Sequence, residues 1–526
     1  MDVDILDLLS APMQPACIRH TDLPGTSRLY ADFCYQFDRV ERFYAHNPHD
    51  SASFGRAAGE IDYPDGRRSA MVAALAGQGN SGELLDRFAQ PGTAVVVTGQ
   101  QVGLFSGPAY TIYKALTAAR LADELTARGI PTVPLFWLAT EDHDFAEASH
   151  VWIFDTSFRP VRLEVKPESA SRSRPAGDIV LAYPPVDELR VALHGFPFAE
   201  EVVAAVDEAY PRGVTLGAGF RTLLKRLLGR IGVLTLDPLD PRVRAIGAPL
   251  MAEALRQADD LNRDLLERNA ALSAAGYHAQ VLVDAKTSLF FLLDKGERIP
   301  LRANVSRGVV SPEAVSPNAL LRPVWQDYLL PTVAYVGGPA EMAYFAQSRV
   351  VYDRLLGRMP VAVSRCGFTL LDARSAKLME RYRLHLCDAL VPETALKERI
   401  ARVLTPEGVA QSFRETSSAV QARLDQLRGT LEQFDHTLAQ ALVKSRAKIS
   451  YQLEKTQRKI ERETLRRDAR ASADTERLGN LLYPHRHLQE RFYSILPFLA
   501  QHGLDAVGRI HGELQPHCTD HRVITL

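Results

Sequence analysis

The most constraining feature of this sequence is a long stretch that has the pattern of a coiled-coil helix. Residues 415–470 contain no proline and a single glycine, Gly429. Apolar residues recur here at alternating steps of four and three, as in a helix that packs along a partner. The first run is Val420, Leu424, Leu427, Leu431, Phe434 and Leu438, and the second is Ile449, Leu453, Thr456 and Ile460. The offset between the two runs resembles a stutter.

One helix over this stretch would be about 80 Å long at about 1.5 Å per residue. No globular core buries a helix of that length, so its apolar seam needs a partner helix. We therefore predict a coiled-coil arm that pairs two copies of the chain into a homodimer. The alternative is a helix that lies along the body of its own chain.

Length, charge and cysteine content limit the class of protein. The 526 residues are enough for roughly three or four structural units. Lys and Arg number 62 against 63 Asp and Glu, so no global basic field favours nucleic acid as a partner. The N-terminus MDVDILDLLS lacks the features of a signal peptide, and we find no apolar run of about 18 residues that would predict a membrane span. Five scattered cysteines fit a reducing cytoplasm.

Residues 94–114, AVVVTGQQVGLFSGPAYTIYK, predict a strand, a glycine-rich loop and the start of a helix. This arrangement suits an anionic ligand, because glycine permits close approach and the N–H groups of the first helical turn face outward. Polar side chains in the loop are candidates for binding substrate: Thr98, Gln100, Gln101, Ser106, Tyr110 and Lys114. Lys114 is either a solvated lysine or a group that reaches back to a phosphate or carboxylate.

A second apolar strand, residues 134–139, is followed at once by Glu141, Asp142, His143 and Asp144. Burial of so many unpaired charges is too costly, so these side chains belong at an edge of the sheet. His143 is the candidate general base, because flanking carboxylates would orient it and favour its protonated form. The three carboxylates are the other candidate catalytic groups. The alternatives are a solvated acidic turn, a structural histidine or a metal ligand.

The motif YVGGPAEMAY predicts a third strand end followed by a helix. Gly337 and Gly338 permit close approach of a ligand, and Pro339 suits the first position of a helix. Glu341 is either a carboxylate that stabilises the helix start or a group that binds an ammonium or hydroxyl of a substrate. Ligands of open α/β sheets bind beyond the carboxyl ends of the strands, so we expect the three loops to form one crevice.

Long, uncommon motifs resemble those of the bacillithiol-biosynthesis cysteine ligase family. They are TGQQVGLFSGPAYTIYK, PLFWLATEDHDFAEASHVWIFD, YVGGPAEMAYFAQ and LQERFYSILPFLAQHG, and the likeness extends from about residue 20 to about residue 510. The resemblance implies a Rossmann-like core similar to class I synthetases, with a parallel sheet, two connecting-peptide insertions and a helical coiled-coil arm.

Changes in texture along the chain predict seven segments. Residues 1–154, 218–277 and 327–373 would form the α/β core, and residues 155–217 and 278–326 would be the first and second insertions. Residues 374–482 would form the helical arm, and residues 483–526 would return to the core.

The resemblance implies an enzyme that joins L-cysteine to glucosaminyl-malate through an amide bond. Amide synthesis is uphill, so it implies activation of cysteine's carboxyl group, with ATP or ADP bound. The chain lacks a GxxxxGK[ST] loop and the HxGH and KMSKS motifs, so a nucleotide must bind otherwise. Arg477, Arg491 and Tyr493 are candidate nucleotide-binding residues, because arginine suits phosphate.

No metal is predicted, since His511, His517, Cys518 and His521 match no standard zinc spacing. Two other functions stay open on the sequence alone. One is a coiled-coil interaction protein whose core only binds a ligand, and the other is a thiol-sugar amidohydrolase or transferase that uses no ATP.

Overall fold

A computed structural model describes residues 16–165, 173–301 and 310–526. The acidic N-terminal segment and short pieces of both predicted insertions lie outside the described residues.

The strands are short, and most lie in the first three-quarters of the chain. They are β1 Ala16–Ile18, β2 Ala94–Gln101, β3 Thr132–Ala139, β4 His150–Phe154, β5 Pro160–Glu164, β6 Val180–Leu181, β7 Val214–Thr215, β8 Leu234–Leu236, β9 Phe290–Asp294, β10 Glu297–Pro300, β11 Val315–Pro317, β12 Thr332–Gly337, β13 Val361–Ser364, β14 Gly367–Leu371 and β15 His521–Thr525.

Helices alternate with these strands and then dominate the last third of the chain. They are α1 Arg28–Tyr35, α2 Ala52–Gly59, α3 Asp65–Gly77, α4 Glu83–Ala89, α5 Tyr110–Ala127, α6 Phe145–Ala148, α7 Val186–Leu193, α8 Ala199–Ala209, α9 Leu216–Leu228, α10 Pro241–Arg256, α11 Ala258–Ala274, α12 Arg322–Leu329, α13 Pro339–Leu355, α14 Ala373–Arg381, α15 Leu386–Ala389, α16 Glu393–Leu404, α17 Glu407–Phe434, α18 His436–Arg467, α19 Ala469–Leu482, α20 Gln489–Phe492, α21 Leu496–His502 and α22 Ala506–Gly512.

A parallel five-stranded sheet in the order β13-β12-β2-β3-β8 forms the centre of the molecule. Successive residues of β2 pack on opposite faces: Val95 and Val97 join one apolar cluster, whereas Ala94 and Val96 join another. Because both faces are covered, the strand is apolar along its length. The predicted parallel α/β core is confirmed.

The strand order places a topological switch point at the centre of this sheet. The chain goes from β2 to β3 and β8 on one side, then returns to β12 and β13 on the other. Connections therefore leave β2 and β12 in opposite directions, which opens a crevice beyond their carboxyl ends. The loops after Gln101 and Gly337 meet at this crevice.

Smaller sheets lie between the core strands. Between β3 and β8 the chain forms the antiparallel pairs β4–β5 and β6–β7, with α7 and α8. Between β8 and β12 it forms the antiparallel sheet β10-β9-β11. The sheet β10-β9-β11 covers one side of the crevice.

The coiled-coil stretch is a hairpin of two antiparallel helices, so the prediction of one continuous helix is wrong. α17 ends at Phe434, and Asp435 has an extended conformation with φ −158° and ψ 117°. The Asp435 carboxylate then caps α18 by accepting from the N–H groups of Thr437 and Leu438. Across the hairpin, Gln421 Nε2 donates to Ser450 Oγ at 2.8 Å. The offset in the apolar seam therefore marks a turn.

After the hairpin the chain packs against the core again. β15 pairs in parallel with β14 and antiparallel with β1. α21 packs against α8 and β4. Of the described helices, none combines the length and apolar character that crossing a membrane requires.

Candidate active site

A cavity of about 530 Å³ lies beyond the carboxyl ends of the central strands. Nine residues singled out from the sequence line it: Gln100, Gln101, Tyr110, Lys114, Glu141, Asp142, Gly338, Glu341 and Arg491. They come from the ends of β2, β3 and β12, from the first two turns of α5, from the first turn of α13 and from α20. The predicted single crevice therefore exists, although the roles of its residues stay predictions.

Close packing at the strand ends explains two of the glycines. A Cβ atom at Gly99 would lie 2.9 Å from the Trp137 carbonyl oxygen, on the neighbouring strand β3. A Cβ atom at Gly337 would lie 2.8 Å from the Cβ of Glu341. Both glycines therefore permit the protein's own backbone and side chains to pack closely around the cavity.

Lys114 and Glu341 form a buried ion pair that connects the two sides of the switch point. Lys114 Nζ also donates to the Gly99 carbonyl oxygen at 2.9 Å and to Gln100 Oε1 at 2.8 Å. Glu341 accepts from the Tyr335 hydroxyl at 2.6 Å and from the Gly338 N–H at 2.7 Å. Glu341 thus stabilises the start of α13 and pairs with the ammonium of Lys114, and its binding of a substrate group stays a prediction.

Burial and ion pairing shift the pKa values of Lys114 and Glu341 in opposite directions. Burial lowers the pKa of Lys114, although Glu341 opposes the change. Burial alone would raise the pKa of Glu341, but Lys114 and the Gly338 N–H bring the pKa below its usual value. Glu341 is therefore a carboxylate, held in place by Lys114 and the Gly338 N–H.

Glu141 forms a second buried ion pair, with Arg244 of α10. Arg244 also donates to the carbonyl oxygens of Glu313 and Val315. Burial is the main influence on Glu141 and raises the pKa of its carboxyl group. This pair joins the end of β3 to the segment around β11.

His143 lies at the rim and is not among the residues that line the cavity. Its Nδ1 is 3.1 Å from Nη1 of Arg298 and 3.9 Å from Oδ1 of Asp142. Arginine can only donate, so in the neutral ring Nδ1 accepts and Nε2 carries the proton. A role as general base through Nδ1 would require Arg298 to move away.

The Asp144 carboxylate forms no ion pair with His143 among the described residues, although the two are neighbours in the sequence. Its carboxylate caps α6 by accepting from the Glu147 N–H at 3.1 Å. The neighbouring Glu147 lines the cavity, and burial together with the charges of Asp144 and Asp142 raises the pKa of Glu147.

Thr98 and Ser106 lie outside the cavity lining, which corrects their expected position. Thr98 Oγ1 donates to the Val336 carbonyl oxygen at 2.8 Å and so joins β2 to β12. Ser106 is fully buried at a positive φ of 71°, and its hydroxyl finds no partner among the described residues. Both positions follow from tertiary packing that a local motif does not show.

Arg477 and Tyr493 also lie away from the cavity, whereas Arg491 lines it. Arg477 forms an ion pair with Asp372 at 3.0 Å and packs over the Phe158 ring. The Tyr493 hydroxyl donates to the Asn480 carbonyl oxygen at 2.7 Å. The proposed nucleotide-binding group is thus reduced to Arg491.

Three arginines that the sequence analysis did not single out also line the cavity: Arg298, Arg322 and Arg365. Arg365 directly follows β13, and that position at a strand end was a usable signal. Arg298 and Arg322 come from the β10 and α12 segments, and no local motif marks them.

Arg365 is anchored by a two-pronged ion pair with Glu490, at 2.9 and 2.5 Å. Burial disfavours the Glu490 carboxylate, but Arg365 outweighs this effect and holds the pKa of Glu490 at about 2. This pair fixes the short helix α20, which carries Arg491.

His517 and His521 of the C-terminal segment have separate partners. His517 Nε2 lies 3.0 Å from Glu124, and His521 Nε2 lies 2.8 Å from the Thr369 hydroxyl. Within the described ranges, no group of three or more His, Cys, Asp or Glu side chains is arranged to hold a metal ion.

Comparison of the sequence with known proteins identifies one family. Residues 13–310 and 305–366 match the description "Bacillithiol biosynthesis BshC, N-terminal Rossmann-like domain". Residues 368–526 match "Bacillithiol biosynthesis BshC, C-terminal coiled-coil domain".

Similar proteins from three bacteria bear the name "Putative cysteine ligase BshC". The one from Solibacter usitatus is 51% identical and covers 98% of this chain and 100% of its own length. Those from Koribacter versatilis and Symbiobacterium thermophilum are 35% and 33% identical, over 97% and 81% of this chain and 100% and 82% of their own lengths. With both domains matched and this identity along its length, the chain belongs to the bacillithiol biosynthesis BshC family.

Proposed function

We propose that this protein is a ligase that joins L-cysteine to glucosaminyl-malate through an amide bond. The observation that carries the proposal is the cavity at the switch point, which places acidic and basic groups from three strand ends around one space. Its volume of about 530 Å³ is in the usual range for small-molecule sites. The names of the relatives support cysteine as one substrate, and glucosaminyl-malate is the second substrate that the sequence resemblance implies.

Two carboxylates at the mouth of the cavity suit the amino groups of the substrates. Asp142 and Glu147 both line the cavity, and neither lies in a buried ion pair such as those of Glu141 and Glu341. A carboxylate at this position binds an ammonium, and once the pKa is raised, as for Glu147, it also accepts a proton more readily. These groups would hold the attacking amine beside His143, the predicted general base, whose Nδ1 lies 3.9 Å from Asp142 Oδ1.

Activation of cysteine's carboxyl group by ATP is part of the proposal. A nucleotide supplies the leaving group that makes amide formation favourable. Pro339 and Ala340 of the first turn of α13 line the cavity, as does Arg491. A helix start and a guanidinium are groups that suit a phosphate.

We also propose that the hairpin of α17 and α18 pairs two copies of the chain. Apolar side chains near its tip are exposed: Leu427 at 47%, Phe434 at 81%, Leu438 at 46% and Val443 at 49%. An exposed apolar patch of this kind marks an interaction surface. Five scattered cysteines and a balanced charge support a cytoplasmic enzyme whose partners are small molecules.

Incubation of the purified protein with L-cysteine, glucosaminyl-malate and ATP tests the activity directly. We expect bacillithiol by mass spectrometry, with either AMP or ADP formed in equal amount. A Glu147→Gln variant should be slower, whereas Glu432→Gln on the arm should match the wild type. Product formed without any nucleotide would contradict the activation step. Absence of product with ATP present would contradict the ligase.

A further inference from the structure

Apart from Arg491, which is exposed, the cations that line the cavity are of two kinds. Lys114 and Arg365 each form an ion pair with a buried carboxylate, Glu341 and Glu490 respectively. Arg298 and Arg322 form no ion pair with a described carboxylate. Their positions are fixed by neutral groups instead.

Arg298 is 8% exposed and is held by three neutral acceptors. Its Nε donates to Ser316 Oγ at 3.0 Å, Nη2 donates to the Pro317 carbonyl oxygen at 2.8 Å, and Nη1 lies 3.1 Å from His143 Nδ1. The guanidinium also packs 3.9 Å from the centre of the Phe291 ring. These contacts fix its direction and leave its charge uncompensated.

Arg322, at the start of α12, is held in the same way. Nη1 donates to Gln326 Oε1 at 2.9 Å, and Nη2 donates to the hydroxyls of Tyr344 and Tyr335 at 3.0 and 3.3 Å. Tyrosine hydroxyls and a side-chain amide orient a guanidinium without neutralising it.

The buried carboxylate nearest in effect to each arginine is already paired with another cation. Glu141 acts on Arg298 but is already paired with Arg244, and Glu341 acts on Arg322 but is already paired with Lys114. Each buried carboxylate therefore serves two cations. Asp142 also acts on Arg298, but its side chain is 43% exposed at the rim, where water screens it.

Buried charge without a counter-charge is costly, and a ligand that supplies the missing anion removes that cost. Two guanidinium groups without an ion pair to a described carboxylate line one cavity from the β10 and α12 segments, and they match a ligand with two negative groups. A carboxylate suits a guanidinium in particular, because the two planar groups can form paired hydrogen bonds.

We propose that Arg298 and Arg322 each bind one carboxylate of a dicarboxylate substrate group. If the proposed function holds, this group is the malyl group of glucosaminyl-malate, and the two arginines determine specificity for it. The amino groups of the substrates would then face Asp142 and Glu147, which line the same cavity.

Calorimetric titration in the absence of cysteine and nucleotide tests the proposal apart from turnover. L-Malate and succinate are compared with L-lactate, which has one carboxylate. We expect the wild type to prefer the dicarboxylates and Arg298→Gln or Arg322→Gln to weaken malate binding by about 10–100-fold. The preference over lactate should then be lost. Arg298→Lys and Arg322→Lys, which keep the charge, should lose less.

Arg358→Gln is the matched control, because Arg358 donates to the backbone carbonyls of Thr332 and Asp327 and does not line the cavity. It should bind malate like the wild type. Equal binding of malate and lactate by the wild type, or an unchanged preference in folded Gln variants, would overturn the proposal.

A parallel titration with glucosaminyl-malate separates this proposal from the proposed function. Binding of dicarboxylates that depends on both arginines, without binding of glucosaminyl-malate, would retain the dicarboxylate site and refute the named substrate. Binding of glucosaminyl-malate that neither arginine affects would retain the named substrate and refute the dicarboxylate site.

Discussion

At the scale of single residues, the site is built from buried charges whose partners come from distant parts of the chain. Lys114 pairs with Glu341, Glu141 with Arg244, and Arg365 with Glu490. A buried pair of this kind is costly to break, because removal of one partner strands the other charge. These pairs therefore hold the strand ends and helix starts in a fixed arrangement around the cavity.

Replacement of Glu341 by Gln should destabilise the protein by about 3 kcal/mol, because the ammonium of Lys114 would stay buried without a counter-charge. Urea denaturation measures the effect. The double variant Lys114→Met/Glu341→Gln should recover part of the loss, and Arg428→Ala on the exposed arm should change little. If the single and double variants were equally destabilised, the coupling between the two charges would be refuted.

His143→Asn tests the predicted general base, because Asn still accepts a hydrogen bond from Arg298 but cannot take up a proton. We expect His143→Ala and His143→Asn both to lower kcat by about 10²–10⁴-fold. The KM for glucosaminyl-malate should change little in the Asn variant. Near-normal turnover by His143→Asn would show that the ring only positions Arg298.

At the scale of elements, two interactions that are remote in sequence define the shape of the molecule. The turn at Asp435 folds the coiled-coil stretch back on itself, and β15 brings the end of the chain between β1 and β14. Both depend on contacts between segments rather than on local periodicity.

An engineered disulfide across the hairpin distinguishes it from a continuous helix. The side chains of Gln421 and Ser450 are in contact, whereas one helix would separate these positions by about 44 Å at about 1.5 Å per residue. Gln421→Cys/Ser450→Cys should form an intramolecular disulfide on mild oxidation, seen by mass spectrometry after digestion. Gln421→Cys/Lys459→Cys is the mismatched control. Only intermolecular crosslinks in the first variant would exclude the hairpin.

The packing of His20 near His521 of β15 predicts loss of stability in mild acid. Burial, with His521 and Arg365 nearby and Glu490 opposing them, lowers the pKa of His20 from 6.5 to about 4. The unfolded chain thus takes up a proton before the folded one does. Stability from this group is complete above pH 6.5 and is lost as the pH falls toward 4.

Denaturation curves across this range measure the effect. Wild type should lose up to about 3 kcal/mol more than His20→Gln, at about 1.4 kcal/mol per pKa unit. His150→Gln, a substitution of a half-buried histidine in β4, should retain the pH dependence of the wild type. An unchanged slope for His20→Gln would show that other groups carry the acid sensitivity.

At the scale of the whole molecule, the arm is poorly buried by its own chain. Within the described chain, α17 has no buried residue, and α18 has two, Ala439 and Glu461. The base of the arm packs on α16, where Arg402 pairs with Glu461 at 3.0 Å. The exposed tip is therefore the part available to a second copy of the chain.

Deletion of residues 422–449, with a short glycine-rich loop that joins Gln421 to Ser450, should keep this base intact. We expect the sedimentation mass to fall from dimer to monomer while thermal unfolding of the core is retained. Phe434→Glu/Leu438→Glu should have the same effect, since charge disrupts an apolar interface. A monomeric wild type, or a deletion variant that stays dimeric, would refute the pairing.

The sequence by itself determined the layout of the molecule. Apolar runs such as residues 94–97 and 134–139 predicted buried parallel strands, and polar residues directly after them predicted a site at one edge of the sheet. The heptad seam predicted a coiled coil. These features were readable because each depends on residues that are close in the chain.

Tertiary structure alone decided which polar groups face the cavity. Thr98, Gln100 and Lys114 share one motif, yet Thr98 bonds to the neighbouring strand while the other two line the cavity. Arg298 and Arg322 reach the cavity from segments with no motif. At Asp435 the chain turns back, although the apolar periodicity alone predicted a continuous helix. Ion pairing and packing choose among partners far apart in sequence, and the energy of those contacts outweighs the local preferences that a sequence displays.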